Sequence, residues 1–219
     1  KKSPYKVTDF ASVIFLGYMP LIIVAAPSFP PNNPAELLSY LKANPGRANW
    51  GSSGYGGSTH VGQMLFKMST KTEFAHIAYK GSGPALIDLI GGQIHLMYAS
   101  IASAEAQIKS GRVKVIGVAS AKRMTVLPGV PTLAESGIRD ADALSWYGLS
   151  APLRTPTAIV QKLNVELNNI LSRAEVRRRF DELGFEIAGG SPQDFDRFLE
   201  REINDLRRLV ATGAISPEN

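Results

Sequence analysis

The chain contains no cysteine. That absence excludes disulfide frameworks, thiolate zinc sites and cysteine nucleophiles, while leaving the redox compartment open. Long apolar runs are missing as well. No stretch reaches the ~18 consecutive apolar residues of a membrane span, and the most apolar one, Met19 to Ala26, is short and holds Pro20. It reads as a buried strand. Only three histidines occur, His60, His76 and His95, and their spacing is not that of a metal site. His76 and His95 fall within expected strands, where packing accounts for them. Carboxylates are present, but Asp88 and Glu105 lie in separate short helices with no evident acid/base partner. A secretory leader is also missing: Lys1-Lys2 is followed by polar Ser3-Pro4-Tyr5-Lys6. The leader of an exported protein is therefore expected outside this sequence.

What is present is globular. With 219 residues, 44% hydrophobic and 20% charged, the chain suits one large domain or two lobes of roughly 100 residues each. A formal charge of +5 steers anions towards the surface and raises the question of nucleic acid. Much of the excess, however, sits in Lys1, Lys2 and Lys6 and in Arg173, Arg177, Arg178 and Arg179, interspersed with Glu175, Asp181 and Glu182. That pattern describes a solvated helix face, so no nucleic-acid partner is expected.

Secondary structure is signalled by periodicity and punctuation. Ser12 to Gly17 and Leu21 to Ala26 read as strands, and Asn33-Pro34-Ala35-Glu36 opens a helix with an N-cap, a first-turn proline and a capping glutamate. Strand signals at 48–52, 74–79, 94–99 and 113–119 alternate with helices after Ser58, at 85–90 and at 102–109, which argues for an α/β sheet with crossover helices. A short helix to Ser136 and a last apolar strand at 146–151 follow. Helices are then expected at 156–172, 174–183 and 192–211, the last opened by the capping box Ser191-Pro192-Gln193-Asp194. The change from strand-rich to helix-rich sequence near Trp146 marks a lobe boundary.

The richest segment for chemistry is Ser52 to His60, with Ser53-Gly54-Tyr55-Gly56-Gly57-Ser58 between a strand and a helix. Glycines there let the backbone approach an anion, with N–H groups and the positive helix end aimed at it. Phosphate motifs do not match: no lysine follows Gly57, and Thr59 stands where a dinucleotide fingerprint needs a third glycine or alanine. The segment is thus either a tight structural turn or an anion site. A second loop, Tyr79-Lys80-Gly81-Ser82-Gly83-Pro84, holds the same strand-to-helix position, and Tyr98-Ala99-Ser100 ends a third strand. All three would line the carboxyl edge of a parallel sheet, where open α/β folds bind small ligands. Lys80 can add charge or be merely solvated, Tyr98 can face a ligand or pack in the core, and Trp146-Tyr147-Gly148 can cover a ligand or pack at a hinge.

Taken in order, these segments resemble the Bug-type substrate-binding proteins of tripartite tricarboxylate transporters. The resemblance runs from about Tyr5 to Ile215. It is carried by Asp9-Phe10, Asn44-Pro45-Gly46, Ser53 to His60, Tyr79-Lys80-Gly81, Asp88-Leu89-Ile90-Gly91-Gly92-Gln93, the run Leu127 to Gly137 and Trp146 to Pro152. It implies a periplasmic receptor with the two-lobed type 2 periplasmic-binding-protein fold and a hinge. Residues 19–145 would form lobe 2, and residues 1–18 with 146–219 the remnant of a discontinuous lobe 1. Ligand contacts would come from Ser53, Gly54, Tyr55, Gly56, Gly57, Ser58 and His60, and from Lys80, Gly81, Tyr98, Ala99 and Ser100. The implied partners are a small organic carboxylate and membrane transporter subunits, with no cofactor, metal or catalytic residue. Family members begin with a further strand and loop ahead of the position of Lys1, so lobe 1 is expected to be incomplete, binding weakened and self-association favoured. Two other readings compete: a sensor domain for a membrane signalling partner, and a serine hydrolase using Ser53 or Ser58 with His60. Ser58 and His60, two positions apart at a helix start, do not face each other.

Overall fold

The computed structural model describes residues 4–211 and 213 of the chain. The backbone divides into two compact units, Lys1–Tyr18 with Trp146–Asn219, and Met19–Ser145. Strand β1 (Phe10–Pro20) and strand β7 (Leu144–Pro152) each run across a unit boundary.

The Met19–Ser145 unit is built on five strands in the order β4-β3-β5-β2-β6. They are β2 (Ile22–Ala25), β3 (Asn49–Ser52), β4 (Ala75–Ala78), β5 (Leu96–Ala99) and β6 (Lys114–Val118). β3 is parallel to both β4 and β5, whereas β2 is antiparallel to both β5 and β6. The sheet is therefore mixed, and its parallel members all end at one edge. The Met19–Ala26 run is not a single strand. It breaks at Leu21, whose N–H donates to Ala143 O at 2.8 Å, because Pro20 cannot donate and the ladder changes partners there.

Four α-helices belong to this unit, α1 (Pro34–Ala43), α2 (Ser58–Thr70), α3 (Ser82–Ile90) and α4 (Ile101–Lys109), with a 3-10 turn at Ala134–Ser136. α1 starts as its sequence dictates, with Glu36 N–H donating to Asn33 Oδ1 at 2.9 Å and Pro34 in the first turn. α3 begins at Ser82, earlier than expected. Pro84 sits in its first turn, where a missing N–H costs nothing, so the proline admits the helix instead of delaying it. β2, whose four residues are all buried, is covered on both faces, and Trp50, Phe66 and Tyr98 are fully buried around it. Trp50 packs on Phe66 edge-on at 5.0 Å and stacks on Tyr98 at 5.4 Å.

The other unit holds three strands in the order β7-β1-β8, where β8 (Glu186–Ile187) is a two-residue strand. Helices α5 (Thr157–Leu171), α6 (Ala174–Glu182) and α7 (Pro192–Ala211) complete it. β8 pairs antiparallel with Gly17 and Tyr18. At Gly17, with φ +144°, a Cβ would lie 2.0 Å from Glu186 O, so only glycine lets β8 close on β1. Phe15 stacks on Phe198 at 4.1 Å and on Phe195 at 5.9 Å, and Trp146 packs edge-on against Phe198 at 5.3 Å. Ser191 and Asp194 form the expected reciprocal cap: Ser191 N–H donates to Asp194 Oδ2 at 2.8 Å and Asp194 N–H to Ser191 Oγ at 3.2 Å. Arg173, at the N-cap of α6, and Arg177, Arg178 and Arg179 on it are exposed, a solvated face. Among the described residues no helix is long and apolar enough to cross a membrane.

Candidate anion site at the carboxyl edge of the sheet

β3, β4 and β5 each end at the same edge and lead into a helix: β3 into α2, β4 into α3, β5 into α4. Helix starts are positive, because their first N–H groups lack intrahelical acceptors and the peptide dipoles align. None of the three first turns contains an acidic residue. The edge therefore concentrates uncompensated positive potential from three helices, with exposed Lys80 on the second loop.

The loops are joined to each other. Tyr79 N–H donates to Ser52 O at 3.0 Å and Gly81 N–H to Ser53 O at 2.9 Å, which brings Lys80-Gly81 against the start of the Ser53–Ser58 segment. Ser100, level with this segment across the β3–β5 pairing, caps α4 by accepting from Ser103 N–H. Gly54 (φ +139°), Gly56 (φ +73°) and Gly81 (φ +115°) occupy backbone conformations that side chains disfavour. A Cβ on Gly54 would also come within 3.3 Å of Tyr79 O.

Several amides of the first loop are consumed in holding it. Ser53 N–H donates to Thr59 Oγ1 at 2.9 Å, Gly54 N–H to Ser52 Oγ at 3.3 Å and Gly56 N–H to His60 Nδ1 at 3.1 Å. Gly57 and Ser58, at the N-cap and first position of α2, make no such bond through N–H among the described residues. The donors offered to an anion are thus those of the helix start, fewer than the whole loop.

Three sequence-expected contacts lie elsewhere. Tyr98 is fully buried and stacked on Trp50, and Ala99 is 1% exposed, so their side chains belong to the core. Burial also drives the Tyr98 phenol far above its usual pKa. His60 is 4% exposed and lies beneath the loop. Its ring stacks on His76 with centroids 4.3 Å apart, and Tyr55, 52% exposed, packs edge-on against both, at 5.4 and 4.9 Å. Trp146 is held by Phe195 and Phe198, inside the other unit.

Residues outside the expected contact set hold this arrangement. Ser52 Oγ lies 2.7 Å from His76 Nε2, and Gln63 donates through Nε2 to Gly51 O at 2.6 Å. The Tyr79 hydroxyl donates to Asp88 Oδ2 at 2.7 Å, and burial with this contact pushes the phenol up to about 12. No local signal marks these pairs, since each joins different elements or successive turns of chain. Ser52 and His76 have the separation of a nucleophile and its base, but Ser52 is fully buried at the end of β3, out of reach of a substrate.

Comparison with known proteins establishes the family and the fold. A family model described as the tripartite tricarboxylate transporter family receptor matches residues 1–214. BugT of Bordetella pertussis is 32% identical over 213 residues, covering 96% of this chain and 65% of its own. A Pseudomonas sp. protein from the tcbD-tcbE intergenic region is 32% identical over 203 residues, which are 92% of this chain and 60% of that one. The chain therefore spans less than two thirds of the length of these two relatives. Among solved structures, an R. palustris protein described with adipate superposes with a TM-score of 0.94 at 33% identity, covering 100% of this chain and 73% of that one. MatC from Rhodopseudomonas palustris, described with bound malate, gives 0.86 at 30% identity, over 96% of this chain and 73% of that one. The architecture is the α/β periplasmic-binding-protein fold, and the chain belongs to the tripartite tricarboxylate transporter receptor family.

Proposed function

We propose that this protein is a periplasmic receptor that captures a small organic carboxylate at the carboxyl edge of the Met19–Ser145 sheet and delivers it to a tripartite membrane transporter. The observation that carries the reading is the convergence of three helix starts, none with an acid in its first turn. Such a place favours an anion over a neutral group of the same shape, through the dipoles and the unpaired N–H groups. A carboxylate matches the scale of the site, since the donors belong to short loops and a helix end instead of a glycine-lysine phosphate cradle. Family relatives described with adipate and malate, both dicarboxylates, support the same class of ligand. The ligand-contact set follows as Gly57, Ser58, Lys80 and Ser100, with Ser53, Gly54, Gly56 and Gly81 shaping the loops and Tyr55 presenting an exposed ring beside them.

Calorimetric titration tests this with adipate and malate against adipamide. Charge-assisted hydrogen bonds contribute about 1.5–3 kcal/mol each, so an acid should bind at least about tenfold more tightly than its diamide. Equal binding of adipate and adipamide, or binding of cations alone, would refute the anion assignment.

A further inference from the structure

We propose that His60 is a positioning residue for carboxylate capture, acting from beneath the loop through Gly56. This rests on the proposed function, because it assigns a role within that same site. Three of the six residues from Ser53 to Ser58 are glycine, and glycine loses the most conformational freedom on ordering. A loop of that composition holds one shape only if something fixes its backbone. The fixing groups come from the first turn of α2: Thr59 Oγ1 accepts from Ser53 N–H and His60 Nδ1 accepts from Gly56 N–H, at 2.9 and 3.1 Å. Thr59 grips the entry of the loop and His60 its middle.

His60 itself is immobilised. The imidazole is 4% exposed, stacked on His76 at 4.3 Å with 22° between the planes, and His76 is tied through Nε2 to Ser52 Oγ at 2.7 Å. Tyr55, on the solvent side, packs its ring against both imidazoles. The two histidines thus form a pedestal: Ser52 anchors His76, His76 supports His60, and His60 holds the Gly56 amide. Gly57 and Ser58, the next two residues, carry the amides left for the anion. A Gly56 released from His60 lets those amides wander, and the ordering cost then falls on ligand binding. Because Nδ1 is an acceptor, His60 must carry its proton on Nε2, a tautomer fixed by the loop and observable without ligand.

The experiment compares His60→Asn with His60→Phe in the full chain. Asparagine places Oδ1 where Nδ1 stands and keeps the acceptor while losing the ring. Phenylalanine keeps the ring and the stack while losing the acceptor. If His60 acts through the Gly56 amide, His60→Phe weakens adipate or malate binding about tenfold by calorimetry, and His60→Asn stays within about threefold of the unmodified protein. Nitrogen-15 NMR then finds His60 protonated at Nε2, and Gly56 N–H exchanges with solvent faster in His60→Phe than in His60→Asn. Binding by His60→Phe equal to the unmodified protein would overturn the proposal, as would equal weakening by both variants or a proton on Nδ1. If the unmodified protein binds neither acid, the proposed function fails by itself, and the tautomer and exchange measurements still decide the role of His60.

Discussion

Replacing Gly62 with alanine sets two effects of opposite sign against each other, and the structure decides between them. Gly62 lies inside α2, where alanine is favoured over glycine by about 0.8–1.0 kcal/mol. An added Cβ would lie 2.7 Å from Ala143 Cβ and 3.2 and 3.3 Å from two ring atoms of Tyr98. Relaxed carbon contacts lie near ~3.5–4.0 Å, so the overlap with Ala143 is about 1 Å. Neither neighbour can yield. Ala143 is pinned on both sides, by N–H to Ala119 O at 3.0 Å and by its carbonyl, which accepts from Leu21 N–H at 2.8 Å, and Tyr98 is fully buried against Trp50. α2 must therefore move outward, at an overpacking cost of about 1–3 kcal/mol that outweighs the propensity gain. The expected net loss lies within about 0–2 kcal/mol, and the rigid wall places it in the upper half of that range. Urea denaturation reads it through the fluorescence of buried Trp50, with Trp146 replaced by phenylalanine in both proteins. Gly83→Ala is the control: it lies in α3 with nothing within 4 Å of its added methyl, and should be neutral or stabilising. A Gly62→Ala midpoint at or above that of the parent would refute the packing argument.

Two further tests follow from the same geometry. Tyr98→Phe removes a fully buried hydroxyl that has no hydrogen-bond partner among the described residues, so stability should rise by about 1 kcal/mol in thermal or urea unfolding and carboxylate affinity should not change; weakened binding would return the hydroxyl to the site. Asp194, held below its usual pKa first by its hydrogen bonds to Ser191, and Glu36, lowered first by the Asn32 amide, both stabilise the fold as carboxylates. Their contribution is fully present above their unfolded pKa values and is lost as pH falls through the depressed folded ones. Urea midpoints should therefore drop through the acid range, less steeply in Asp194→Asn, and an unchanged slope would show that the cap carries no linkage.

Legibility of the fold tracks the range of the interaction. α1 was readable because Asn33, Pro34 and Glu36 announce a helix within four residues, and their bonds form as the residue types require. The start of α7 was readable for the same reason. The glycine loop between β3 and α2 stood out by composition alone. Strand direction did not. β2 is as apolar as its parallel neighbours and runs against them, which periodicity cannot register since both orientations bury the same residues. β8 was invisible, being two residues whose strand character comes only from pairing with Gly17 and Tyr18, about 170 positions away. Tyr98 was ambiguous for a related reason: the end of a strand at a sheet edge signals proximity to a site, and only the cross-strand neighbour Trp50 shows that the ring turns inward.

The candidate site divides along the same line, and the division bears on the proposed capture of an anion. An anion captured by backbone amides requires little of side-chain identity at the contact itself. It requires glycines with positive φ, a helix to follow and no competing acid, all of which composition reveals. What composition conceals is the support, since Ser52 and His76 meet only through the β3–β4 pairing and His60 reaches His76 only after α2 has folded back over the strands. Ser52 and His60, buried beside the half-buried His76, are the costly part of the design, because each must find its partner or be penalised for burial. A receptor of this kind can change its ligand by varying the residues around a fixed amide cradle, while the pedestal beneath tolerates little change. Substitutions at Tyr55 should accordingly shift preference among carboxylates, and substitutions at His60 that remove the acceptor for Gly56 N–H should weaken all of them together.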